Sequence, residues 1–238
     1  MVPQSHPSAI LLTRPAAQST RFAAALADRF AGTRIILSPL LAPQPVTTAL
    51  PDRAWTGVIF TSETAVLSAG RIAADGRPLP RLAFCVGDQT ARTAMAQGYD
   101  ALSAQGDGLA LLRLIEGHGI TGPLLYLHGA EVRVDLTILL NSARIETVSA
   151  VVYAQKPEPL TPDAVMILHR QNPVIAPLFS PRTGQLLAQE YRRIGATAPL
   201  HVVAISEAVA AEMPMAKVLV AKRPDAAAML DALALWLA

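Results

Sequence analysis

Six places in the sequence put small polar residues directly after a short apolar run and before a helix-prone segment. Such a turn brings hydroxyl groups and unpaired backbone N–H groups to a helix N-terminus, where the helix dipole favours a carboxylate or phosphate. Ser, Thr and Asp are also the ordinary N-cap residues, so capping alone explains any single turn. Six turns at one site would favour anion binding. They are Thr13-Arg14, Thr61-Ser62, Gly87-Asp88-Gln89-Thr90, His128-Gly129, Ser180 and Ser206.

Motifs for other chemistry are absent from the sequence. There is no G-x-G-x-x-G and no G-x-x-x-x-G-K-[ST], so neither a dinucleotide nor a nucleoside triphosphate is indicated. Ser180 stands in F-S-P-R-T-G, which is not the G-x-S-x-G nucleophile elbow. The single cysteine, Cys85, excludes an internal disulfide, and the five histidines lack the spacing of metal ligands. We therefore expect neither a cofactor nor a metal.

Composition narrows the class of protein. The chain has 238 residues, of which 52% are hydrophobic and 16% charged, which is enough apolar material for a real core. Its net charge is only +2, and no stretch combines clustered basic residues with aromatic ones, so no nucleic-acid binding surface is expected. The apolar runs are too short to span a bilayer, and no secretion signal is visible at the N-terminus. The expected location is the cytoplasm.

Short apolar runs alternate with segments of helical period, which is typical of α/β units with parallel strands covered on both faces. The predicted strands are 10–13, 34–37, 57–61, 82–87, 123–127, 144–152, 174–180, 200–205 and 217–221. The predicted helices are 16–31, 63–74, 89–97, 109–117, 131–141, 162–171, 182–194, 207–213 and 225–237.

Two proline-rich stretches, 38–45 and 156–162, should be extended connectors, because proline disfavours helix in itself and in the residue before it. The piece before the first stretch is too small to bury a core alone, so it must pack with the C-terminal third. We predict a discontinuous domain, 1–38 with 158–238, and a continuous domain, 46–150. Linkers 39–45 and 151–157 would form a hinge beside an interlobe cleft.

Internal similarity within the sequence, referred to below as the echo, indicates that the two domains are related. The segment from Ile10 through Leu37 resembles the segment from Leu124 through Val148. VIFTSETAV at 58–66 resembles APLFSPRTG at 176–184, and FCVGDQTARTAM at 84–95 resembles VVAISEAVAAEM at 202–213. The pairs occur in the same cyclic order, as expected if both halves derive from one α/β unit.

Seven short motifs occur in a fixed order along the chain. They are Leu12-Thr13-Arg14-Pro15, Leu37-Ser38-Pro39-Leu40, FTSETAV at 60–66, VGDQTA at 86–91, Gly129 to Arg133, Val152-Tyr153 and Phe179-Ser180-Pro181. Taken together, they resemble the uroporphyrinogen-III synthase family over essentially the whole chain. Val209 departs from the family pattern, because threonine is frequent there, and His128 stands where arginine is often found.

The resemblance implies two flavodoxin-like parallel-sheet α/β lobes joined by a two-stranded linker. It also implies a lyase that needs no cofactor. Such an enzyme closes hydroxymethylbilane, a linear tetrapyrrole with eight carboxylates, to uroporphyrinogen III, with inversion of the last ring and loss of water. The implied partner is this small-molecule substrate, with no nucleic acid and no membrane. A monomer with transient contact to the preceding enzyme of the pathway is expected. A non-enzymatic two-lobed binder of a small polycarboxylate is the alternative.

The resemblance aligns Tyr153 with the family's proposed acid, which would assist departure of the terminal hydroxyl. A tyrosine that only packs the linker is the competing interpretation. For the two arginines of the site, a solvated salt bridge competes with carboxylate binding. The expected substrate-binding residues are Thr13, Arg14, Thr61, Ser62, Gly87, Thr90, Gly129, Arg133, Ser180 and Ser206.

Overall fold

The computed structural model describes residues 9–74, 78–132 and 134–237. Within these residues the chain forms eleven strands and nine helices. The strands are β1 (Ala9–Leu12), β2 (Ile35–Leu37), β3 (Leu41–Pro45), β4 (Gly57–Phe60), β5 (Leu82–Cys85), β6 (Asp100–Ser103), β7 (Leu124–Gly129), β8 (Thr147–Pro157), β9 (Val174–Leu178), β10 (Leu200–Ala204) and β11 (Lys217–Val220). The helices are α1 (Ala16–Arg29), α2 (Glu63–Ala74), α3 (Asp88–Ala96), α4 (Gly108–Gly117), α5 (Leu136–Ser142), α6 (Pro162–Leu168), α7 (Pro181–Arg193), α8 (Glu207–Ala210) and α9 (Ala226–Leu237).

The chain divides into two compact units, Met1–Ala42 with Lys156–Ala238, and Pro43–Gln155. Both passages of the chain from one unit to the other lie inside extended strands, β3 and β8. The domain boundaries predicted at residues 38, 46, 150 and 158 stay a prediction.

The unit with both chain termini is built on a five-stranded sheet in the order β2-β1-β9-β10-β11, with parallel pairing throughout. Strand β1 is buried at every position. Its Leu11 packs with residues of α6 and α7, whereas Ile10 and Leu12 pack with residues of α1 and α9. The sheet is therefore covered on both faces, as its uninterrupted apolar strands predict.

The other unit is built on a six-stranded sheet in the order β3-β8-β7-β4-β5-β6. Pairing from β8 to β6 is parallel. Strand β3 runs antiparallel to β8, because Val46 N–H donates to the Val152 carbonyl at 3.1 Å and Glu158 N–H donates to the Leu40 carbonyl at 3.0 Å. Residues of α2 and α3 cover one face of this sheet, and residues of α4 and α5 cover the other.

The two sheet orders agree with the echo in the sequence. When β7, β8, β4, β5 and β6 are matched with β1, β2, β9, β10 and β11, the order β8-β7-β4-β5-β6 corresponds to β2-β1-β9-β10-β11. Both are the doubly wound order 2-1-3-4-5 of flavodoxin-like sheets, with the starting point of the chain moved in one unit. The predicted fold class, mixed α/β with two mainly parallel sheets, is confirmed.

Several predicted elements are wrong in detail. The helix expected at 131–141 begins at Leu136, because the Asp135 carboxylate accepts the Thr137 N–H at 2.9 Å and caps the helix there. The strand expected from residue 144 begins at Thr147, after Arg144 takes a positive φ of 62° in a turn. Helix α8 ends at Ala210 rather than at residue 213. Strand β6 was not predicted, and β3 was expected only as part of the two-stranded linker that the resemblance implies. Both are edge strands, where proline and polar residues are tolerated.

No helix in the described ranges has the length and apolar character that a membrane-spanning segment needs.

Candidate active site

The continuous unit contains a cavity of about 510 Å³ at the carboxyl ends of its strands. The cavity lies where β4 meets β7, from which point the chain proceeds outward through β5 and β6 on one side and through β8 on the other. In open α/β sheets this switch point is the usual ligand site. The lining residues are Thr61, Ser62, Val86, Gly106, Asp107, Gly108, Tyr126, Gly129, Glu131, Val132, Val134, Leu136 and Tyr153.

Ser62 and Tyr153 form a hydroxyl pair in this cavity. The Ser62 Oγ lies 3.1 Å from the Tyr153 hydroxyl oxygen, and it also accepts the Ala65 N–H at 3.1 Å in the first turn of α2. A hydroxyl group has one proton to donate and two lone pairs. Ser62 can therefore cap the helix through one lone pair and still donate its proton to Tyr153, which leaves the phenol O–H of Tyr153 available for a ligand.

Gly129 fixes the position of the Tyr153 ring. It lies opposite Tyr153 in the β7–β8 pairing, at an irregularity that follows His128, and the Ala130 N–H donates to the Tyr153 carbonyl at 2.8 Å. A Cβ on Gly129 would stand 2.6 Å from Cζ of Tyr153 and 2.8 Å from its hydroxyl oxygen. Only glycine leaves room for the ring in this place.

A second hydroxyl pair, between Thr61 and Tyr126, also lines the cavity, with 3.3 Å between the oxygens. The Tyr126 ring stacks on the imidazole of His128, with 4.5 Å between ring centroids. Burial raises the pKa of Tyr126 above its ordinary value, and the hydrogen bond with Thr61 offsets part of this increase. Sequence reasoning missed Tyr126; the signal was a phenol inside the otherwise aliphatic start of LLYLHG.

Asp107 closes another side of the cavity and was also missed. Its carboxylate accepts the N–H groups of Leu109 and Ala110, both at 3.0 Å, and so caps α4. The available signal was an aspartate between two glycines just before a helix-period segment.

Gly87 and Thr90 lie at the start of α3 and are not among the residues that line the cavity. Gly87 occupies the N-cap with an extended φ of −133°, and a Cβ there would meet nothing within 4 Å. Open space therefore borders its backbone, as the prediction that a ligand approaches it requires. Thr90 is only 7% exposed. Arg133 lies outside the described residues.

The remaining predicted residues belong to the unit that holds β1 and β9. Thr13 and Arg14 follow β1, and the Arg14 guanidinium lies 3.8 Å from the centre of the Phe179 ring, next to Ser180 after β9. Thr13 is fully buried, and its Oγ has no hydrogen-bond partner among the described residues. Burial, and then the field of Arg21, lowers the pKa of Arg14.

Ser180 and Ser206 are both N-cap residues, but their hydroxyl groups differ. The Ser180 Oγ accepts the Thr183 N–H at 3.2 Å and lies 2.8 Å from the Thr183 hydroxyl oxygen. Ser206 caps the short helix α8 without a side-chain hydrogen bond. Across the described ranges, no group of three or more His, Cys, Asp or Glu side chains is placed to hold a metal ion.

The fold and the cavity define the class of protein: a doubly wound α/β protein of two units, with a hydroxyl-lined pocket at the carboxyl ends of one sheet. The chain belongs to the uroporphyrinogen-III synthase family, since the family model described as uroporphyrinogen-III synthase HemD matches residues 21–231. Proteins of this family are cyclising lyases of tetrapyrrole biosynthesis, and the match favours that activity over the non-enzymatic binder.

A solved structure with a similar fold supports the two-unit α/β architecture. The uroporphyrinogen-III synthetase of Helicobacter pylori is similar with a TM-score of 0.62 at 20% identity, over 97% of this chain and 99% of that one. A mutant uroporphyrinogen III synthase from the extremely thermophilic bacterium Thermus thermophilus matches with a TM-score of 0.43 at 17% identity, over 96% and 99% of the two chains. A search of curated protein sequences finds no match.

Proposed function

We propose that this chain converts hydroxymethylbilane to uroporphyrinogen III and that Tyr153 donates the proton that lets the terminal hydroxyl group leave as water. The observation that supports this role is the placement of the Tyr153 phenol, in contact with Ser62 and in van der Waals confinement against Gly129 inside the cavity. A positioned acid of this kind accelerates a reaction by roughly 10²- to 10⁴-fold.

Ser62 and helix α2 would support the proton transfer. When Tyr153 gives its proton to the departing hydroxyl, negative charge develops on the phenol oxygen. The Ser62 O–H can donate to that oxygen, while the Ala65 N–H continues to donate to Ser62. Ser62 also stands at the N-terminus of α2, where the helix dipole favours negative charge. Both effects lower the energy of the developing phenolate.

The reaction then proceeds on the substrate. Loss of water leaves an electrophilic azafulvene on the ring that carried the hydroxyl group. The already substituted carbon of the opposite terminal ring attacks it, which gives a spiro intermediate. This intermediate fragments and recloses with the ring inverted, and the proton released on final closure returns to the Tyr153 oxygen. The substrate closes without inversion when it is free, so the protein must mainly restrain its conformation.

The eight carboxylates of the substrate account for the other predicted residues. Hydroxyl groups and helix N-terminal N–H groups can bind acetates and propionates without a fixed pattern of arginines. Arginine adds a fixed positive charge, and Arg14 is held on the Phe179 ring rather than by a carboxylate of the described chain. We assign carboxylate binding to Thr13, Arg14, Thr61, Ser62, Gly87, Thr90, Gly129, Arg133, Ser180 and Ser206.

Tyr153→Phe tests the catalytic assignment. Purified protein is incubated with enzymatically generated hydroxymethylbilane, and the oxidised products are resolved into type I and type III uroporphyrin. The variant should make the type III isomer roughly 10²-fold or more slowly than the parent chain, while type I accumulates from spontaneous closure. Tyr99→Phe is the matched control, because Tyr99 packs on Phe60 in the same unit and does not line the cavity.

Two results would contradict the proposal at different levels. A parent chain that yields only the type I isomer would exclude the synthase activity. Normal type III formation by Tyr153→Phe would leave the activity in place and remove Tyr153 from the role of acid.

We further propose that the chain acts in the cytoplasm as a monomer, in transient contact with the enzyme that supplies its substrate. An octacarboxylate does not cross a bilayer unaided, because burying its charges is too costly, so it is consumed where it is made. Because hydroxymethylbilane closes spontaneously to the wrong isomer, direct transfer from the enzyme that forms it to this chain is favoured. Sedimentation of the chain alone tests the monomeric state, and sedimentation with a hydroxymethylbilane-forming enzyme tests the contact between the two proteins.

A further inference from the structure

The two hydroxyl pairs of the cavity come from opposite faces of one sheet. Side chains alternate between the faces of a strand. In β4, Phe60 packs with residues of α2 and α3, whereas Ile59 packs with residues of α4 and α5. The next two residues, Thr61 and Ser62, continue this alternation, since Thr61 meets Tyr126 of the α4–α5 face and Ser62 meets Tyr153, which packs beside the α2–α3 face.

Each pair leaves one proton donor for a ligand. Thr61 and Tyr126 together carry two hydroxyl protons, and the hydrogen bond between them uses one. The other proton has no partner among the described side chains, and both residues border the cavity. Whichever oxygen donates within the pair, one O–H remains for a hydrogen-bond acceptor. The substrate's most abundant strong acceptors are its carboxylates.

The Tyr126 phenol is held rigidly. Its ring belongs to the buried cluster beneath α4 and α5 and is only 2% exposed. His128 stacks on the ring, and its Nδ1 lies 2.7 Å from the Gly129 carbonyl oxygen. Because a carbonyl only accepts, Nδ1 must carry a proton, which fixes the orientation of the imidazole against Tyr126. The nearby Asp107 carboxylate already accepts two helix N–H bonds.

We propose that Tyr126 and Thr61 form a second binding pair, which holds a carboxylate of the substrate ring whose hydroxymethyl group faces Tyr153. This inference rests on the proposed function. The two pairs then have different roles: Tyr153 with Ser62 acts on the leaving hydroxyl group, and Tyr126 with Thr61 anchors the same ring. Anchoring this ring fixes the position of the electrophilic carbon that the opposite terminal ring attacks after water has left, so Tyr126 contributes to substrate binding rather than to proton transfer.

The test compares Tyr126→Phe, Thr61→Val and the double variant in steady-state kinetics with hydroxymethylbilane. A lost hydrogen bond to a charged group should raise KM by roughly tenfold to a hundredfold, with kcat within a few-fold of the parent value. The double variant should be little worse than either single variant, because each hydroxyl group is held toward the ligand by its hydrogen bond to the other. Thr61→Ser keeps the hydroxyl and should restore KM, and Tyr99→Phe is the control for loss of a phenol oxygen.

The outcomes separate this inference from the proposed function. Type III product from the parent chain, with unchanged KM in Tyr126→Phe, overturns the binding pair and leaves the synthase intact. A fall in kcat alone, or effects that add fully in the double variant, also overturns it. If Tyr126→Phe raises KM and also lowers the thermal stability of the chain, whereas Thr61→Val does neither, Tyr126 has a structural role. That result overturns the inference as well.

Discussion

Gly129→Ala should disable the proposed acid without removing it. The added Cβ would stand 2.6, 2.8 and 2.9 Å from Cζ, the hydroxyl oxygen and Cε2 of Tyr153, whereas ordinary contact begins at 3.4 Å. The backbone cannot easily yield, because the Ala130 N–H is bonded to the Tyr153 carbonyl and the two strands are paired there. The ring must therefore move by about 1 Å, away from its position beside Ser62.

The expected effect is large on catalysis and moderate on stability. A misplacement of about 1 Å costs on the order of 10²-fold in rate, so kcat for type III formation should fall by about that factor. Overpacking of this kind costs about 1–3 kcal/mol of unfolding free energy. Type III formation is measured by the isomer assay, and stability by urea unfolding monitored by circular dichroism.

Gly117→Ala is the matched control for this substitution. Gly117 is the last residue of α4, and a Cβ there would meet nothing within 4 Å. It should leave kcat unchanged and stabilise the chain by up to about 1 kcal/mol. Two results would refute the reasoning: an unchanged kcat in Gly129→Ala, or a loss that adds in full to that of Tyr153→Phe in the double variant, since a displaced ring has no further effect once its hydroxyl is gone.

Three further predictions concern stability and reactivity. Asp107→Ala should lower the unfolding free energy by about 1 kcal/mol through loss of the α4 cap, while Asp107→Asn keeps most of it, as urea titration would measure. A hydrogen bond from Arg193 holds the pKa of Glu190 below its ordinary value of 4.5, so its stabilisation is present above that pH and lost as pH falls through the folded pKa. Glu190→Gln should accordingly flatten the acid limb of a stability-versus-pH curve. Burial raises the pKa of Cys85 to about 12, so iodoacetamide at about pH 8 should label it in denaturant but not in the native state.

Much of the scaffold could be predicted from the sequence. Runs such as AILL and GVIF are apolar at every position, which requires a sheet covered on both faces, and both strands are buried throughout. The two proline-rich stretches are extended, as proline dictates, and they contain β3 and the end of β8. The edge strand β6 could not be recognised, because DALS has only partial burial and no distinctive pattern.

For the site, less could be predicted from the sequence than for the scaffold. Thr61, Ser62, Gly129 and Tyr153 could be named from the sequence through family motifs, and the structure places all of them around one cavity, although their roles stay predictions. Tyr126 could not be named, because the reason for its importance is not local. It lies 65 positions from Thr61 in the chain, and the two meet only because β4 and β7 are neighbours in the sheet.

The sequence by itself determined where most of the buried strands lie, which turns carry polar groups and which family the chain resembles, because those properties depend on short-range pattern and residue type. Only the tertiary structure decided which turns share a cavity. It also decided why Gly129 must lack a side chain, since the Tyr153 ring reaches it only through the irregular pairing of β7 with β8. Local propensity cannot specify that contact, because strand order and register arise from burial of the whole sheet.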